Sequence, residues 1–257
     1  VFLGVKFPEQ HRMLIIKAPF KVGKEFIFKY VFRGLRFDKT YDPDDSDFVL
    51  LNLVLVEEQF KDIFDTLVAD VLESVINESD INVILKNYSN RLIKWQSLFE
   101  RFTQPGLTGE EQRGLFGELY MLDKMLERLP DKNTCLLAWT GATGQSQDFQ
   151  GVGWAVEVKT CLSGNHHKIQ INGERQLDTR GLDFLALHQV IIEKSNSEGI
   201  TLNAMVDNVT ERLKDDFSLL TRFRSLLAES GYFDHQRDLY EEPQYVVRQE
   251  NSFEVKE

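Results

Sequence analysis

Short apolar and aromatic runs, separated by clusters of Pro, Gly and Asp, dominate the first part of the chain. The runs are "HRMLIIKAPF", "EFIFKYVFRG" and "DFVLLNLVLV". Runs of β-branched and aromatic residues that end at such breakers are typical of β-strands. We therefore predict an N-terminal antiparallel β-rich region over residues 1–56.

After residue 56 the apolar residues recur every three or four positions, which is the period of an amphipathic α-helix. These positions are Phe60, Ile63, Phe64, Leu67, Val68, Val71, Leu72 and Val75, then Leu85, Tyr88, Leu92, Trp95 and Phe99. The pattern predicts two helices that form a connector over residues 57–104. The segment "TQPGLTGEE" then interrupts it, and Thr108 followed by Glu111 has the spacing of a capping box. We predict that a third helix begins there and covers about 109–129.

Residues 105–257 show both periods in turn, which indicates an α/β (α+β) core with a mixed β-sheet flanked by helices. After the third helix come "CLLAW" and the Gly-rich "TGATGQSQ", which we interpret as a flexible lead into Asp148. We then predict strands at 148–152, 154–161, 167–171 and 183–192, with a helix that begins at "GERQLD" before the last of them. The remaining predicted elements are helices at 201–214 and 216–229 and two closing strands, "QYVVRQ" and "SFEV".

The overall composition, with 42% apolar residues among 257, is ample for a packed core. The net charge of −11 argues against a protein that coats nucleic acid through charge alone. It does not exclude a nucleic-acid enzyme, since metal-binding carboxylates count as negative until the cation arrives.

Cellular location is indicated by three features of the sequence. No run approaches the ~18 uninterrupted apolar residues of a membrane helix, and "VFLGVKFPEQ" lacks the regions of a signal peptide. Cys135 and Cys161 form no disulfide framework and no CxxC spacing, which favours a reducing compartment. We expect a soluble, cytoplasmic protein, and the start without Met inside a predicted strand favours a piece of a longer chain.

Candidate chemistry begins with the strand over 154–161. Successive side chains in a strand point to opposite faces, so Glu157 and Lys159 project together while Val158 faces the core. A hairpin through the turn at Gly151–Gly153 would bring Asp148 beside Glu157. Two adjacent carboxylates repel one another, and a divalent cation such as Mg²⁺ neutralises them.

An ammonium beside such a cation can orient a water and offset charge during attack on phosphorus, which suggests phosphodiester hydrolysis. The spacing alone leaves open a solvated strand face, because the same tripeptide recurs at Glu254–Lys256.

The helix over 109–129 supplies a second observation. Its apolar stripe consists of Leu115, Leu119, Leu122, Met125, Leu126 and Leu129. Glu118 falls inside this stripe, so its carboxylate needs a partner such as a metal-bound water, a lysine or a backbone donor, unless it reaches the edge of the stripe. Gly114 and Gly117 each cost the helix up to ~1 kcal/mol relative to Ala. This cost is tolerable where the helix backbone lies close to a neighbour.

Glu118 on a helix, Asp148, and Glu157–Lys159 on a strand together resemble the PD-(D/E)XK nuclease superfamily, with Gln147 where the nominal proline would stand. More narrowly, the chain resembles the PD-(D/E)XK-motif proteins encoded in bacterial restriction and defence clusters. The matching segments are "QRGLFGELYML", Trp139, "DF" at 148–149, "AVEVKT" at 155–160 and "INGERQLD" at 171–178.

This resemblance implies a restriction-endonuclease-like core and a Mg²⁺-dependent endonuclease that cleaves DNA, with Mn²⁺ as a substitute. It also implies work alongside DNA methyltransferases or helicase-like ATPases, and a homodimer is compatible with it. By position it assigns Asp148, Glu157, Val158 and Glu118 to the metal. It makes Lys159 the catalytic lysine and places Gln176 near the scissile phosphate.

Two rival functions stay open from the sequence. One is a DNA-binding or scaffold subunit that keeps the fold without useful activity, and the other is a nuclease for RNA or single strands. Arg175 and Arg180 could touch the DNA backbone or form surface ion pairs. The adjacent His166, His167 and Lys168 could contact phosphate, whereas a two-His metal site is disfavoured because neighbouring strand residues face opposite ways.

Overall fold

In the computed structural model, which describes residues 1–28, 32–102, 105–164, 169, 171 and 173–256, the chain divides into two units. The first unit is Val1–Gln104 and the second is Pro105–Glu257. Within the described residues, no helix combines the length and the apolar character needed to cross a membrane.

The first unit carries an antiparallel sheet, as the alternating pattern predicts. Its strands are β1 (Phe2–Lys6), β2 (His11–Pro19), β3 (Leu35–Tyr41) and β4 (Phe48–Leu55), in the order β1-β2-β4-β3. Strand β4 is largely buried because it pairs with a strand on each side. The helices are α1 (Phe20–Glu25), α2 (Lys61–Val75) and α3 (Ile81–Phe102). The two helices predicted from the apolar period are thus confirmed as α2 and α3.

The segment "EFIFKYVFRG" does not form the predicted strand. Glu25 ends α1, residues 26–28 lie outside any strand, and residues 29–31 lie outside the described part of the chain. Phe28 instead stacks on Phe37 of β3, with ring centroids 4.3 Å apart. The aromatic run therefore has the composition of a strand because its rings pack, without the backbone pairing that defines one.

The second unit contains a mixed sheet in the order β5-β6-β7-β8. Its strands are β5 (Phe149–Gly151), β6 (Trp154–Leu162), β7 (Phe184–Ser195) and β8 (Gln244–Glu254). The β6–β7 pair is parallel and the two outer pairs are antiparallel. The helices are α4 (Gly109–Arg128), α5 (Lys132–Ala138), α6 (Leu202–Leu213) and α7 (Phe217–Glu229). The predicted fold class, a mixed sheet flanked by helices, is confirmed.

One face of this sheet packs against the helices. Alternate residues of β6 and β7, among them Val156, Val158 and Val190, join apolar side chains of α4, α6 and α7 in a single core. Helix α4 begins at the predicted capping box, in which the Glu111 N–H donates to Thr108 Oγ1 and the Thr108 N–H donates to Glu111 Oε2. The cap fixes where α4 starts, and the core fixes which of its faces points inward.

Glycine 117 allows α4 to approach β6 closely. A Cβ placed on Gly117 would lie 1.9 Å from Thr160 Oγ1, so a larger residue fits only if the Thr160 side chain, the helix or the strand moves. The expectation of a close neighbour is therefore right for Gly117. It is wrong for Gly114, since a Cβ there would meet no atom within 4 Å.

Three local predictions in this unit need correction, and "CLLAW", for which no element was predicted, is mostly helical. "CLLAW" lies mainly in α5, whose cap is Asp131, because that side chain accepts from the N–H groups of Asn133 and Thr134. "GERQLD" forms only a short 3-10 turn, Glu174–Leu177, because Asp178 leaves the helical conformation and its carboxylate accepts from the Arg180 N–H.

The two closing strands are one strand, β8, with a bulge at Arg248 that the sequence pattern does not indicate. The strand predicted over 148–152 is shorter, as β5, because pairing with β6 covers only its three central residues. The strand predicted over 167–171 falls mostly outside the described residues.

Candidate active site

Strand β6 has one face in the apolar core and an opposite face that carries Glu157 and Lys159. Val156 and Val158 belong to the apolar core, whereas Glu157 is 1% exposed and lies outside that core. Lys159 Nζ lies 2.7 Å from Glu157 Oε1, and the lysine side chain is 17% exposed. The alternation of the strand thus places a buried ion pair on the side away from the core.

Asp148 lies directly before β5, and the predicted hairpin brings it to β6. The pairing of β5 with β6 extends only to Val156, and beyond that point the Asp148 side chain takes the place of a strand. Its Oδ2 accepts the N–H of Val158 at 2.8 Å. The N–H and C=O of one strand residue point to the same side, so the Val158 carbonyl is also directed toward Asp148. This carbonyl is the one group that Val158 could offer to a cation.

Glycine 141 forms the contact between Asp148 and α4. A Cβ on Gly141 would lie 2.7 Å from Glu118 Oε2 and 2.9 Å from Asp148 Oδ1, so the two carboxylates lie side by side around this residue. The N–H groups of Thr140 and Gly141 both donate to the Asp148 carbonyl, at 2.8 and 2.9 Å. The Gly-rich segment is therefore a wall of the site, which corrects its interpretation as a mere lead into Asp148.

Tryptophan 139 is a member of the site that the sequence did not assign to any role. Its indole Nε1–H donates to Glu118 Oε2 at 2.8 Å. The ring is 1% exposed and lies 6.0 Å from the ring of Phe223 in α7. A rigid, buried donor thus fixes one oxygen of Glu118, instead of the lysine or backbone donor expected. An isolated Trp before a Gly-rich run was the available signal, and it carries no periodicity.

Burial and mutual repulsion raise the pKa values of the carboxyl groups. Burial, followed by the charge of Asp148, raises the pKa of Glu118 to about 8, although the Trp139 indole opposes the shift. Burial and Asp148 also raise the pKa of Glu157 to about 7, against the opposing effect of Lys159. The pKa of Asp148 is raised by burial. Without a cation, these groups therefore hold protons at a pH where isolated carboxyls would be ionised.

The arrangement fits a hard cation held partly by protein and partly by other oxygens. Glu157 Oε2 is buried and accepts no hydrogen bond of ordinary geometry from the described residues, although the Asp148 N–H lies close enough to the carboxylate to oppose the rise of its pKa. An unpartnered buried carboxylate oxygen is costly, and a cation is one way to compensate it. Within the described chain, no group of three or more His, Cys, Asp or Glu side chains is arranged to hold a metal ion by itself. Mg²⁺ commonly binds through one or two carboxylates and completes its shell with water and phosphate.

Gln147 connects the site to the turn that contains Gln176. This side chain is 6% exposed and donates from Nε2 to the carbonyl oxygen of Arg175 at 2.7 Å. Its Oε1 accepts from Gln150 Nε2 at 2.9 Å. The residue in the place of the motif's nominal proline thus holds the Glu174–Leu177 turn beside Asp148. The carbonyl oxygen of Gln176 lies 3.4 Å from the same Nε2, so the backbone of Gln176 is held next to Gln147.

Two further residues considered in the sequence analysis, Arg180 and Lys256, already form ion pairs. The Nε and NH2 groups of Arg180 donate to Asp178, and Lys256 pairs with Glu254 on an exposed surface. His166, His167 and Lys168 lie outside the described residues.

Comparison with known proteins gives one match. The family described as "Putative PD-(D/E)XK family member, (DUF4420)" matches residues 1–257. No curated protein and no solved structure matches the chain. The superfamily predicted from Asp148, Glu157 and Lys159 is the one that the match names. Because the match covers the full length, the chain belongs to this PD-(D/E)XK family.

Proposed function

We propose that this protein is a Mg²⁺-dependent endodeoxyribonuclease that hydrolyses phosphodiester bonds in a bacterial restriction or phage-defence system. The observation that carries the proposal is the environment of Glu157. One of its oxygens is paired with Lys159, the other is buried and accepts no hydrogen bond of ordinary geometry in the described chain, and the charge of Asp148 acts on this carboxyl group. An ion pair with a purely structural role needs neither the unpartnered oxygen nor the neighbouring carboxylate.

The residues that would hold the cation are Asp148, Glu157 and the Val158 carbonyl, with Glu118 as an outer contact. A bound Mg²⁺ would polarise the phosphoryl oxygen and lower the pKa of a bound water. Asp148 is fixed for this role by its hydrogen bond from Val158 and by the two N–H groups on its carbonyl. Glu118 keeps one oxygen on Trp139, so the other is available for a water molecule.

Lys159 is the group that acts on the reacting atoms in this scheme. Its ammonium, held 2.7 Å from Glu157, would orient the attacking water and offset negative charge that develops on the phosphate. Burial strengthens this effect, because the charge acts in a medium that screens it less than bulk water does. Gln176, whose turn is fastened to Gln147, would lie on the substrate side of the carboxylates.

The further parts of the proposal concern setting and partners. Duplex DNA is the substrate, the protein works in the bacterial cytoplasm, and a methyltransferase or helicase-like ATPase accompanies it. The protein would act as a homodimer where both strands are cut. The resemblance to proteins of restriction and defence clusters supports these statements.

The decisive experiment incubates the purified protein with plasmid DNA and Mg²⁺ or Mn²⁺, with and without EDTA, across a salt series. Cleavage that EDTA abolishes, and that Lys159→Ala lacks, supports the proposal. Binding of DNA without cleavage, also in the presence of a candidate ATPase partner, would favour a scaffold subunit. Faster cleavage of RNA or single-stranded DNA than of the plasmid would reassign the substrate.

A further inference from the structure

Two arginines, Arg175 and Arg180, lie on the segment that a hydrogen bond from Gln147 holds near the candidate site. They differ in whether the guanidinium group already pairs with a carboxylate. We propose that Arg175 binds a phosphate of the DNA backbone next to the cleavage site, and that Gln147 positions it. This inference rests on the proposed function and adds a substrate-binding surface to it. Arg180, three residues beyond the Glu174–Leu177 turn, serves the fold of the loop instead.

Arg180 is occupied by its neighbour. Its Nε donates to Asp178 Oδ1 at 2.9 Å and its NH2 group donates to Oδ2 at 2.6 Å, which is a bidentate pair. These bonds are the main cause that lowers the pKa of Asp178 to about 2. One edge of this guanidinium is therefore taken by a carboxylate that also offsets its positive charge, which leaves it less suited to a phosphate. The pair also closes the local turn, since the Arg180 N–H donates to the same carboxylate.

Arg175 is in the opposite situation. Its side chain is exposed, and within the described residues it forms no ion pair. The charge of Arg175 also lowers the pKa of Asp178, but it is the smallest of the contributing causes. An unoccupied guanidinium offers a planar set of donors that matches two phosphate oxygens at once.

The charge of the molecule explains why such a group matters here. The chain carries a net charge of −11, and the candidate site itself is made of three carboxylates. A polyanionic backbone therefore meets repulsion unless cations stand close to the site. Three other arginines of the second unit form ion pairs, Arg212 with Asp123, Arg237 with Asp207 and Arg248 with Glu193.

Gln147 fixes where Arg175 stands. Its amide is buried, and one side chain contacts both the Arg175 carbonyl and Gln150 of β5. The next residue along the chain is Asp148, so a single buried amide sets the separation between the arginine and the metal carboxylates. Proline, the nominal residue of the motif at this place, has no side-chain donor and could not make this contact.

The first test measures binding without cleavage. A short fluorescent DNA duplex is titrated by anisotropy with the full chain in the Lys159→Ala background, with Mg²⁺ and across a salt series. Arg175→Ala should weaken binding several-fold and reduce the slope of log affinity against log salt by about 0.9, the value for one lost phosphate contact. Arg180→Ala is the matched control from the same loop and should leave affinity and slope unchanged.

The second test examines the hydrogen bond from Gln147 to the Arg175 carbonyl directly, without DNA. Gln147→Ala should speed tryptic cleavage after Arg175, because the turn loses the hydrogen bond that holds its carbonyl. Gln249→Ala, which removes an exposed amide on β8 that bonds Asn251, should not change this rate. In the binding assay, Gln147→Ala should weaken DNA affinity in the same direction as Arg175→Ala but by a smaller factor.

The outcomes distinguish this inference from the proposed function. If the parent protein binds and cleaves duplex DNA while Arg175→Ala matches it in affinity and slope, the inference is wrong and the nuclease proposal stands. Equal losses in Arg175→Ala and Arg180→Ala also contradict it, since they would indicate diffuse charge. If the parent protein binds no duplex DNA, both proposals fail together.

Discussion

The tripeptide Glu-Val-Lys occurs twice in the second unit, and the two copies differ in their burial. In both copies the lysine pairs with its glutamate, at 2.7 Å for Glu157 and Lys159 and at 3.0 Å for Glu254 and Lys256. The first pair is buried, with side chains 1% and 17% exposed, whereas the second is 53% and 73% exposed.

This difference shows that the surroundings, not the tripeptide, distinguish the candidate site from the exposed copy. An exposed pair contributes about 0–1 kcal/mol, because water screens it and both side chains lose freedom. A buried pair must compensate for lost hydration, and Glu157 does so for one oxygen only. Asp148 and Glu118 add further carboxylates beside the first copy.

The largest expected effect separates the two lysines in a cleavage assay. Lys159→Ala should reduce the rate of plasmid cleavage by about 10²–10³-fold, the magnitude typical for loss of one group that stabilises transition-state charge. Lys256→Ala should leave the rate unchanged, because its ammonium is solvated far from any buried carboxylate. Rates are measured under single-turnover conditions, with melting temperature as the check on folding. Equal rates for the two variants, or a loss confined to Lys256→Ala, would rule out the site.

The next effect concerns Glu118, which has no counterpart near the second tripeptide. Glu118→Gln keeps the shape and removes the charge, so it should lower cleavage by about 10–100-fold at limiting metal, as loss of an outer contact does. Saturating Mg²⁺ should recover part of the loss. The matched control is Glu254→Gln, which should behave as the parent protein. Identical metal dependence in both variants would assign Glu118 a structural role.

A smaller effect is expected in metal-dependent stability. Mn²⁺ at 100 times its Kd adds about 2.7 kcal/mol to the free energy of unfolding, which corresponds to a rise in melting temperature of roughly 5–10 °C. Asp148→Asn should remove most of this rise, and Glu254→Gln should retain it. Differential scanning fluorimetry with an EDTA reference measures both. A full rise in Asp148→Asn would place the cation elsewhere.

The smallest effect is a pH dependence of the metal-free protein. A carboxyl whose pKa is raised in the folded state stabilises folding below its unfolded pKa, and this contribution is lost as pH rises through the folded pKa. For Glu118 the window extends from about 4.5 to about 8. The melting temperature of Glu118→Gln relative to the parent should therefore increase by a few degrees across this window. A constant difference between the two proteins would show that the carboxyl is not buried near Asp148.

The features that could be predicted from the sequence are those that depend on residues close together in the chain. The capping box at Thr108 and Glu111 and the alternation of Val156 with Glu157 both depend on neighbours in the chain, and the structure shows both. The helix expected at "GERQLD" failed for a local reason as well, because the Asp178–Arg180 turn competes with helical hydrogen bonds.

Contacts between distant segments could not be predicted in this way. Trp139 and Glu118 are 21 residues apart in sequence, and their hydrogen bond depends on how α4 packs against the segment after α5. Gly141 belongs to the same group, since a loop glycine shows no sign of the two carboxylates beside it. Gln147 was noticed only as a departure from the motif, and its buried hydrogen bond explains that departure.

Gly117 lies against Thr160, and the absence of a side chain at this position allows the short distance between α4 and β6. Glu118 is the next residue, so an alanine at 117 would displace its carboxylate from Asp148 while the rest of the core could stay folded. Removing the Thr160 hydroxyl by Thr160→Ala would leave only a 3.2 Å approach to the new methyl group. An engineer could therefore switch the carboxylate cluster off with one small substitution and restore it with a second, neither of which touches a charged group.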